Sequence, residues 1–364
     1  MSDADVAAPG PGAQAPGTRA PRRRRALVAA LAAVVLLVAG GLALWRPWEP
    51  PVGRALALSG ELRTHDPALV VGAEGEPWFV YSTGDVRVGF GAPQIRRSDD
   101  GGTTWETAGT AWDVSGDPAW VRDEIDGVTN FWAPALYEHD GTWYLYYSAS
   151  TFGSNASAIG VATGTTIDPA DADFGWTDQG MVLRSTPGET NYNAIDPTII
   201  EDADGTPWMV FGSFWGGIQI VELEWPSGKV AAGAQPQRIA SRIGAPNAIE
   251  GPEVVRHDGW YYLFVSRDAC CQGTDSTYNI AVGRSRDVTG PYLDQDGRDM
   301  ALGAGTLLLA STGDVVGPGG QSVSDGRLAF HYYDAAAGGD FRLGIHELAW
   351  DEEGWPVAAV LIEN

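Results

Sequence analysis

One short pattern recurs along this chain: a proline opening an apolar stretch, a glycine turn, then a strand crowded with aromatic residues. Its clearest copy begins Asn193-Ala194-Ile195-Asp196-Pro197, turns at Gly205, and runs through Trp208 to Ser213. A second copy starts at Asp66-Pro67 and ends Trp78 to Ser82. A third starts at Ala133-Pro134 and ends Trp143 to Ser148, and a fourth runs from Gly251-Pro252 to Ser266. A weaker fifth spans Gly320 to Tyr333. The four prolines lie at 67, 134, 197 and 252, in steps of 67, 63 and 55 residues. Internal periods of this size constrain a fold more than any single segment does.

Each copy reads as a hairpin of two β-strands, and further apolar runs such as Ala158 to Ala162 and Asn279 to Gly283 supply outer strands. A proline at the first position of a strand is tolerated because that N–H need not join the ladder. The 48 glycines and 23 prolines fit many short strands joined by turns. The expected fold is therefore all-β: a five-bladed β-propeller. A β-sandwich is the competing architecture, and it leaves four aligned copies unexplained. Within the first copy, Ser98-x-Asp100-x-Gly102-x-Thr104-Trp105 has the form of an Asp box. Such a turn closes on itself and is expected to be structural.

The N-terminus is different. Residues 1–25 are rich in Ala, Pro and Gly and end in Arg22 to Arg25, which reads as a disordered basic cytoplasmic tail. Ala26 to Leu44 carries no charge and is long enough to cross a bilayer, with Trp45 and Trp48 at interfacial depth. A single transmembrane or signal-anchor helix is expected, with residues 45–59 as linker and residues 60–364 as an exported propeller. Secretion after signal cleavage near Gly41-Leu42-Ala43 is the alternative.

The formal charge is −24, and the first fifty residues hold six Arg against three acids, so the acidity belongs to the body. A body this acidic repels phosphate backbones, so nucleic acid is excluded as a partner and a neutral polysaccharide fits. In a propeller the first strands of all blades converge on the axis. The residues before the prolines thus form a ring: Asp66, Ala133, Asp196 and Gly251, with Glu250 one step earlier. Three carboxylates around one axis cannot all ionise freely, so at least one pKa should rise. That is what a general acid and base pair needs.

These residues carry a resemblance. Thr64 to Pro67, Asn130 to Pro134, Asn193 to Pro197, Gly212 to Ile218 and Ile249 to Pro252 resemble the endo-α-1,5-L-arabinanases of glycoside hydrolase family 43. So do Cys270 to Gly273, Ser276 to Tyr278, Gly283 to Ser285 and Gly290 to Tyr292. The match spans residues 60 to 350. It implies a five-bladed, inverting enzyme that cleaves internal bonds of arabinan. Asp66 resembles the general base, Glu250 the general acid, and Asp196 a third carboxylate that orients the acid and raises its pKa. Inversion implies that the carboxyls of Asp66 and Glu250 stand roughly 6.5–9.5 Å apart. Phe131, Trp132, Asn193, Ser213 and Phe214 are the expected substrate contacts. His331 resembles a histidine facing an axial metal, usually assigned as calcium, with waters completing the shell. A monomer is expected.

Cys270 and Cys271 are neighbours, and a Cα separation of about 3.8 Å lies below the usual disulfide range, so sequence leaves their bonding open. They are expected to shape a loop. The chain departs from the family at Ala135, where an acid is usual, and at Gly317 to Gln321, where a histidine is common. Three other readings compete: an exo-acting arabinofuranosidase or β-xylosidase, a non-catalytic carbohydrate-binding propeller, and a sialidase. The last rests on the Asp box alone and lacks a clustered Arg triad.

Overall fold

The computed structural model describes residues 53–113 and 116–358. The expected tail and membrane-spanning segment lie outside the described residues. Among the described residues, no helix is long and apolar enough to cross a membrane.

Five antiparallel sheets form the five blades. Blade I comprises Ala68–Val70, Trp78–Ser82, Gln94–Ser98 and Thr104–Thr110, with Ser59–Gly60 added in parallel on its outer edge. Blade II comprises Phe131–His139, Thr142–Ala149, Ser157–Gly164 and Thr177–Ser185. Blade III is built from Thr198–Glu201, Pro207–Phe211 and Ile218–Glu224, whose outer edge is shared by Lys229–Val230 and Gln237–Ala240. Blade IV runs Ile249–His257, Trp260–Arg267, Asn279–Ser285 and Thr306–Leu309. The all-β, five-bladed reading is thus correct.

Blade V holds only three strands from the end of the chain: Val315–Ser324, Arg327–Asp334 and Asp340–Glu347. Its fourth is Arg54–Ala55, paired antiparallel with Glu347 and His346. The Arg54 guanidinium meets Glu347 at 2.8 Å. The linker expected over residues 45–59 therefore ends earlier, because Arg54–Ala55 and Ser59–Gly60 are strands of the propeller. Two-residue strands lack the alternation by which a strand is recognised in sequence.

The aromatic second strands are buried on both faces, since every blade is covered by its neighbours. In blade II, Tyr144, Leu145, Tyr146 and Tyr147 are all buried, giving a continuous apolar run instead of alternation. Their hydroxyls find partners at the strand's flanks: Tyr144 donates to Pro226 O at 2.9 Å, Tyr146 to Gly228 O at 2.8 Å, and Tyr147 to Asp178 at 2.7 Å. A buried phenol needs such a partner. The Asp box behaves as expected. Asp100 accepts from the Thr103 and Thr104 amides and Ser98 Oγ, while Trp105 is fully buried and donates to Gly102 O.

Candidate active site

At the start of every blade one residue takes the same left-handed backbone conformation. Asp66, Ala133, Asp196, Gly251 and Gly320 have φ of 50°, 40°, 58°, 53° and 57°. L-residues adopt this left-handed region at some cost, with Asp among the more tolerant side chains. A ring of cross-blade hydrogen bonds holds it. The N–H of Ala133 donates to Thr83 Oγ1 at 2.9 Å and that of Asp196 to Ser148 Oγ at 3.0 Å. The N–H of Gly251 donates to Asp196 Oδ2 at 3.1 Å, that of Gly320 to Ser266 Oγ at 2.9 Å, and that of Asp66 to His331 Nδ1 at 3.1 Å. Each acceptor belongs to the preceding blade. Gly320 must lack a side chain: a Cβ there would stand 2.5 Å from Asp66 Oδ1 and 2.7 Å from His331 Nδ1.

The ring separates two cavities. A channel of about 490 Å³ runs below it among the first strands, and a cleft of about 860 Å³ lies above. Asp66, Asp196 and Tyr278 border both. The cleft is near the top of the roughly 300–1,000 Å³ range for ligand sites, room for more than one sugar ring.

The three carboxylates meet here in unlike surroundings. Asp66 Oδ2 lies 2.8 Å from His65 Nδ1 and accepts from Thr83 Oγ1 at 2.6 Å. Burial alone would push the Asp66 carboxyl up, but His65, His331 and Thr83 outweigh it and hold it below the ordinary range. Glu250 accepts from Ser213 Oγ at 2.6 Å and Tyr278 OH at 2.9 Å. Burial raises its pKa, the two hydroxyls pull it back, and the Asp66 charge adds to the rise. Asp196 is pushed well above the carboxylate range by burial, then by the charges of Glu250 and Asp66, against the Gly251 N–H. Asp196 and Glu250 thus titrate as a pair. The upward push on Glu250 comes first from burial and then from Asp66, whereas the expectation had assigned it to Asp196.

Trp132 borders the cleft, its Nε1–H held by Asn130 Oδ1 at 3.0 Å. Asn193, Ser213 and Phe214 border it as well. Asn193 is 3 % exposed, and its Oδ1 has no hydrogen-bond partner. Phe131 does not belong with them. It is buried and packs edge-on against Trp112 and Tyr147 in the core between blades I and II. Adjacent residues on a strand point to opposite faces, so Trp132 in the cleft puts Phe131 in the core.

His331 is fully buried beneath His65, ring centroids 3.7 Å apart. Burial, then His65, holds its pKa well below the usual value. His65, Asp66 and His331 are the group of potential metal ligands found among the described residues. The Nδ1 of His331 is 3.1 Å from the Asp66 N–H and 3.4 Å from Asp66 Oδ1. As acceptor of the Asp66 N–H, Nδ1 is unprotonated and the ring proton lies on Nε2; only with that proton moved to Nδ1, toward Asp66 Oδ1, is the Nε2 lone pair released for a cation. That Nε2 is buried and has no hydrogen-bond partner, which fits one ligand atom of a hydrated cation.

Sequence reasoning passed over several cleft residues. Phe152, Trp215 and Ile243 border it and are 84 %, 38 % and 81 % exposed. Apolar side chains left in water on flanking loops carry no periodic signal. Cys270 and Cys271, also on the cleft wall, are joined as a vicinal disulfide. The Cys271 N–H donates to Tyr333 OH at 2.8 Å, and that hydroxyl lies 3.2 Å from His65 Nε2. The loop thereby reaches Asp66 through two side chains.

This propeller, with three carboxylates at the neck of an aromatic cleft, has the architecture of a glycosidase. Residues 62–356 match the model for glycosyl hydrolases family 43, and the chain belongs to that family. It is 41 % identical over 313 residues to the extracellular exo-α-(1→5)-L-arabinofuranosidase ArbA of Cellvibrio japonicus, covering 81 % of this chain and 86 % of that one. It is 40 % identical over 297 residues to the extracellular endo-α-(1→5)-L-arabinanase 1 of Bacillus subtilis, covering 80 % and 86 %. Among solved structures, the endo-arabinanase of Bacillus licheniformis superposes with a TM-score of 0.76 at 39 % identity, covering 83 % of this chain and 99 % of that one. The α-L-arabinanase of Cellvibrio cellulosa, solved with arabinohexaose, gives a TM-score of 0.74 at 39 % identity, covering 82 % and 96 %.

Proposed function

We propose that this protein is an endo-acting arabinanase that cleaves α-1,5-L-arabinofuranosidic bonds with inversion. The observation that carries the reading is the opposite treatment of the carboxylates: Asp66 is held ionised by His65 and Thr83, while burial favours the protonated Glu250. In this mechanism Glu250 gives its proton to the glycosidic oxygen as the bond breaks. Asp66 takes a proton from water attacking the anomeric carbon on the opposite face, and the new sugar end has inverted configuration. Asp196 keeps Glu250 oriented through the Gly251 amide and shares the pair's proton. Trp132 offers an aromatic face to the furanose nearest the broken bond.

Relatives at similar identity bear exo and endo names. The size of the cleft and its exposed Phe152, Trp215 and Ile243 favour an internal stretch of chain over a single terminal sugar. An exo-acting arabinofuranosidase is the second reading. Proton NMR of the first product settles the stereochemistry, and chromatography of early products from linear arabinan settles the mode. Retained configuration refutes inversion; monomer alone from the outset refutes the endo reading.

Two named relatives are extracellular, so action outside the cell is part of this proposal. Membrane tethering through residues 26–44 and a monomeric state are proposed with it, and membrane fractionation and light scattering check them. His331 Nε2 is the atom proposed to hold a hydrated calcium ion at the axis. When bound, the ion would supply a fixed positive charge beside His331.

A further inference from the structure

Four blades carry proline directly after the left-handed ring residue: Pro67, Pro134, Pro197 and Pro252. Blade V carries Gln321 there instead. Its side chain is buried, and both ends of its amide are in use. Ser266 Oγ donates to Gln321 Oε1 at 2.7 Å, and Gln321 Nε2 donates to the carbonyl of Gly251. The amide's orientation follows from the network. The Gly251 carbonyl can only accept, and Ser266 Oγ already accepts from Gly320 N–H, leaving its proton for Oε1.

Two side chains from neighbouring blades meet on the backbone of one residue. Gly251 follows Glu250, and it is gripped at its N–H by Asp196 from blade III and at its carbonyl by Gln321 from blade V. Ser266 is the cross-strand partner of Glu250. On the other side, the carbonyl of Ile249 accepts from Phe214 N–H at 2.9 Å. The bulge at Gly251 interrupts the sheet between Glu250 and Glu253, so blade IV's own ladder holds Ile249 and Glu250 against Arg267 and Ser266 but does not fix Gly251 and Pro252. Side chains from neighbouring blades do.

We propose that Gln321 is a positioning residue for Glu250: it fixes the bulge from which the acid reaches the glycosidic oxygen. The proposal rests on the reading of Glu250 as general acid. A proline at this position has no polar atoms with which to span blades IV and V, which gives a physical reason for blade V to depart from the repeat.

The test uses the full chain and two substrates: linear arabinan, and a 2,4-dinitrophenyl α-1,5-L-arabinotrioside whose leaving group needs no proton. Gln321→Leu removes both bonds at similar volume. Gln321→Pro gives blade V the residue the other four blades already fold around. On arabinan, kcat is expected to fall about 10- to 100-fold, the size of a displaced catalytic group, with KM within about twofold. On the dinitrophenyl substrate the loss should shrink below about threefold, because the acid is no longer needed. An equal loss on both substrates, or none on either, in a variant with an unchanged melting temperature overturns the role of Gln321. Glu250→Gln is run alongside. If it gains nothing from the activated leaving group, the acid assignment fails, and the proposal falls with it. If Glu250→Gln is rescued and the Gln321 variants are not, only the proposal falls.

Discussion

The hydroxyl of Ser213, on blade III, lies 2.6 Å from Oε2 of Glu250, on blade IV. This bond favours the ionised carboxylate and opposes the rise that burial causes. A general acid works only while protonated, so activity should fall on the alkaline side as Glu250 loses its proton. Ser213→Ala removes a bond that lowers the pKa, so the alkaline limb of the kcat/KM profile should move to higher pH. A limb that stays fixed or moves to lower pH would contradict the assignment.

Thr83 is held in place for Asp66, since the hydroxyl that donates to the Asp66 carboxylate also accepts from the Ala133 amide. Hydrogen bonds to charged groups are worth about 1.5–3 kcal/mol, so Thr83→Val should cost about 10- to 100-fold in kcat. Its acidic limb should move up toward the ordinary carboxylate range, because a bond that kept Asp66 ionised is lost. Asp66→Ala should remove activity by about 10²- to 10⁴-fold, the usual worth of a positioned base. Steady-state rates over a pH series read all three outcomes.

Glu253 lies in the channel below the ring, where it accepts from Thr198 Oγ1 at 2.7 Å and Val323 N–H at 3.1 Å. Burial pushes its carboxyl up to about 7, from 4.5, against the pull of those two donors. The fold therefore favours the protonated form. That stabilisation is fully present below pH 4.5 and lost as the pH rises through about 7. Glu253→Gln should melt like the parent at pH 4.5 and higher than the parent at pH 8. Equal melting temperatures at both pH values would show that Glu253 is not held protonated.

Phe152 is almost wholly exposed on the loop after the second strand of blade II, at the border of the cleft. If the cleft takes an internal stretch of arabinan, this ring offers a stacking face distant from the reacting bond. Phe152→Ala should raise KM for arabinan about two- to tenfold, the worth of one aromatic contact, and leave kcat unchanged. Trp132→Ala should lower kcat as well. Identical effects of the two substitutions would remove the distinction between near and far subsites.

His331 supplies the test of the axial cation. Treatment with a chelator, followed by dialysis, should lower the melting temperature and the rate on arabinan, and added calcium should restore both. Isothermal titration with calcium should give no heat for His331→Ala. Unchanged melting and activity after metal removal would leave the buried Nε2 to a water molecule.

Much of this was legible in the chain itself. Repetition announced the blades, because five hairpins must bury the same faces in the same way. The prolines marked the ring, and Asp66, Asp196 and Glu250 followed from aligning the copies. What stayed hidden depended on partners distant in sequence. Tyr278 belonged to a motif of the resemblance but had no role assigned, and its hydroxyl reaches Glu250. His65 lay within the Thr64 to Pro67 motif without a role and Thr83 in no motif, and both are seen to hold Asp66 only once blade I is folded. Phe131 was misplaced because its neighbour Trp132 borders the cleft, and strand alternation sends the two apart. Gln321 closed a stretch that departs from the family, but its purpose depended on a carbonyl 70 residues away.

The strand Arg54–Ala55 completes blade V by pairing with Asp340–Glu347, and the Arg54 and Glu347 side chains that join there are separated by 293 positions in the chain. During synthesis this segment is among the first parts of the propeller to emerge, and its partner is among the last. Its backbone donors and acceptors must stay with water, or with a temporary partner, while four blades form. Closure of the ring is thus the slowest contact to search for and the last available to a growing chain. Until then blade V keeps an open edge, so the time between emergence and closure is when this protein is most exposed to pairing with the wrong strand.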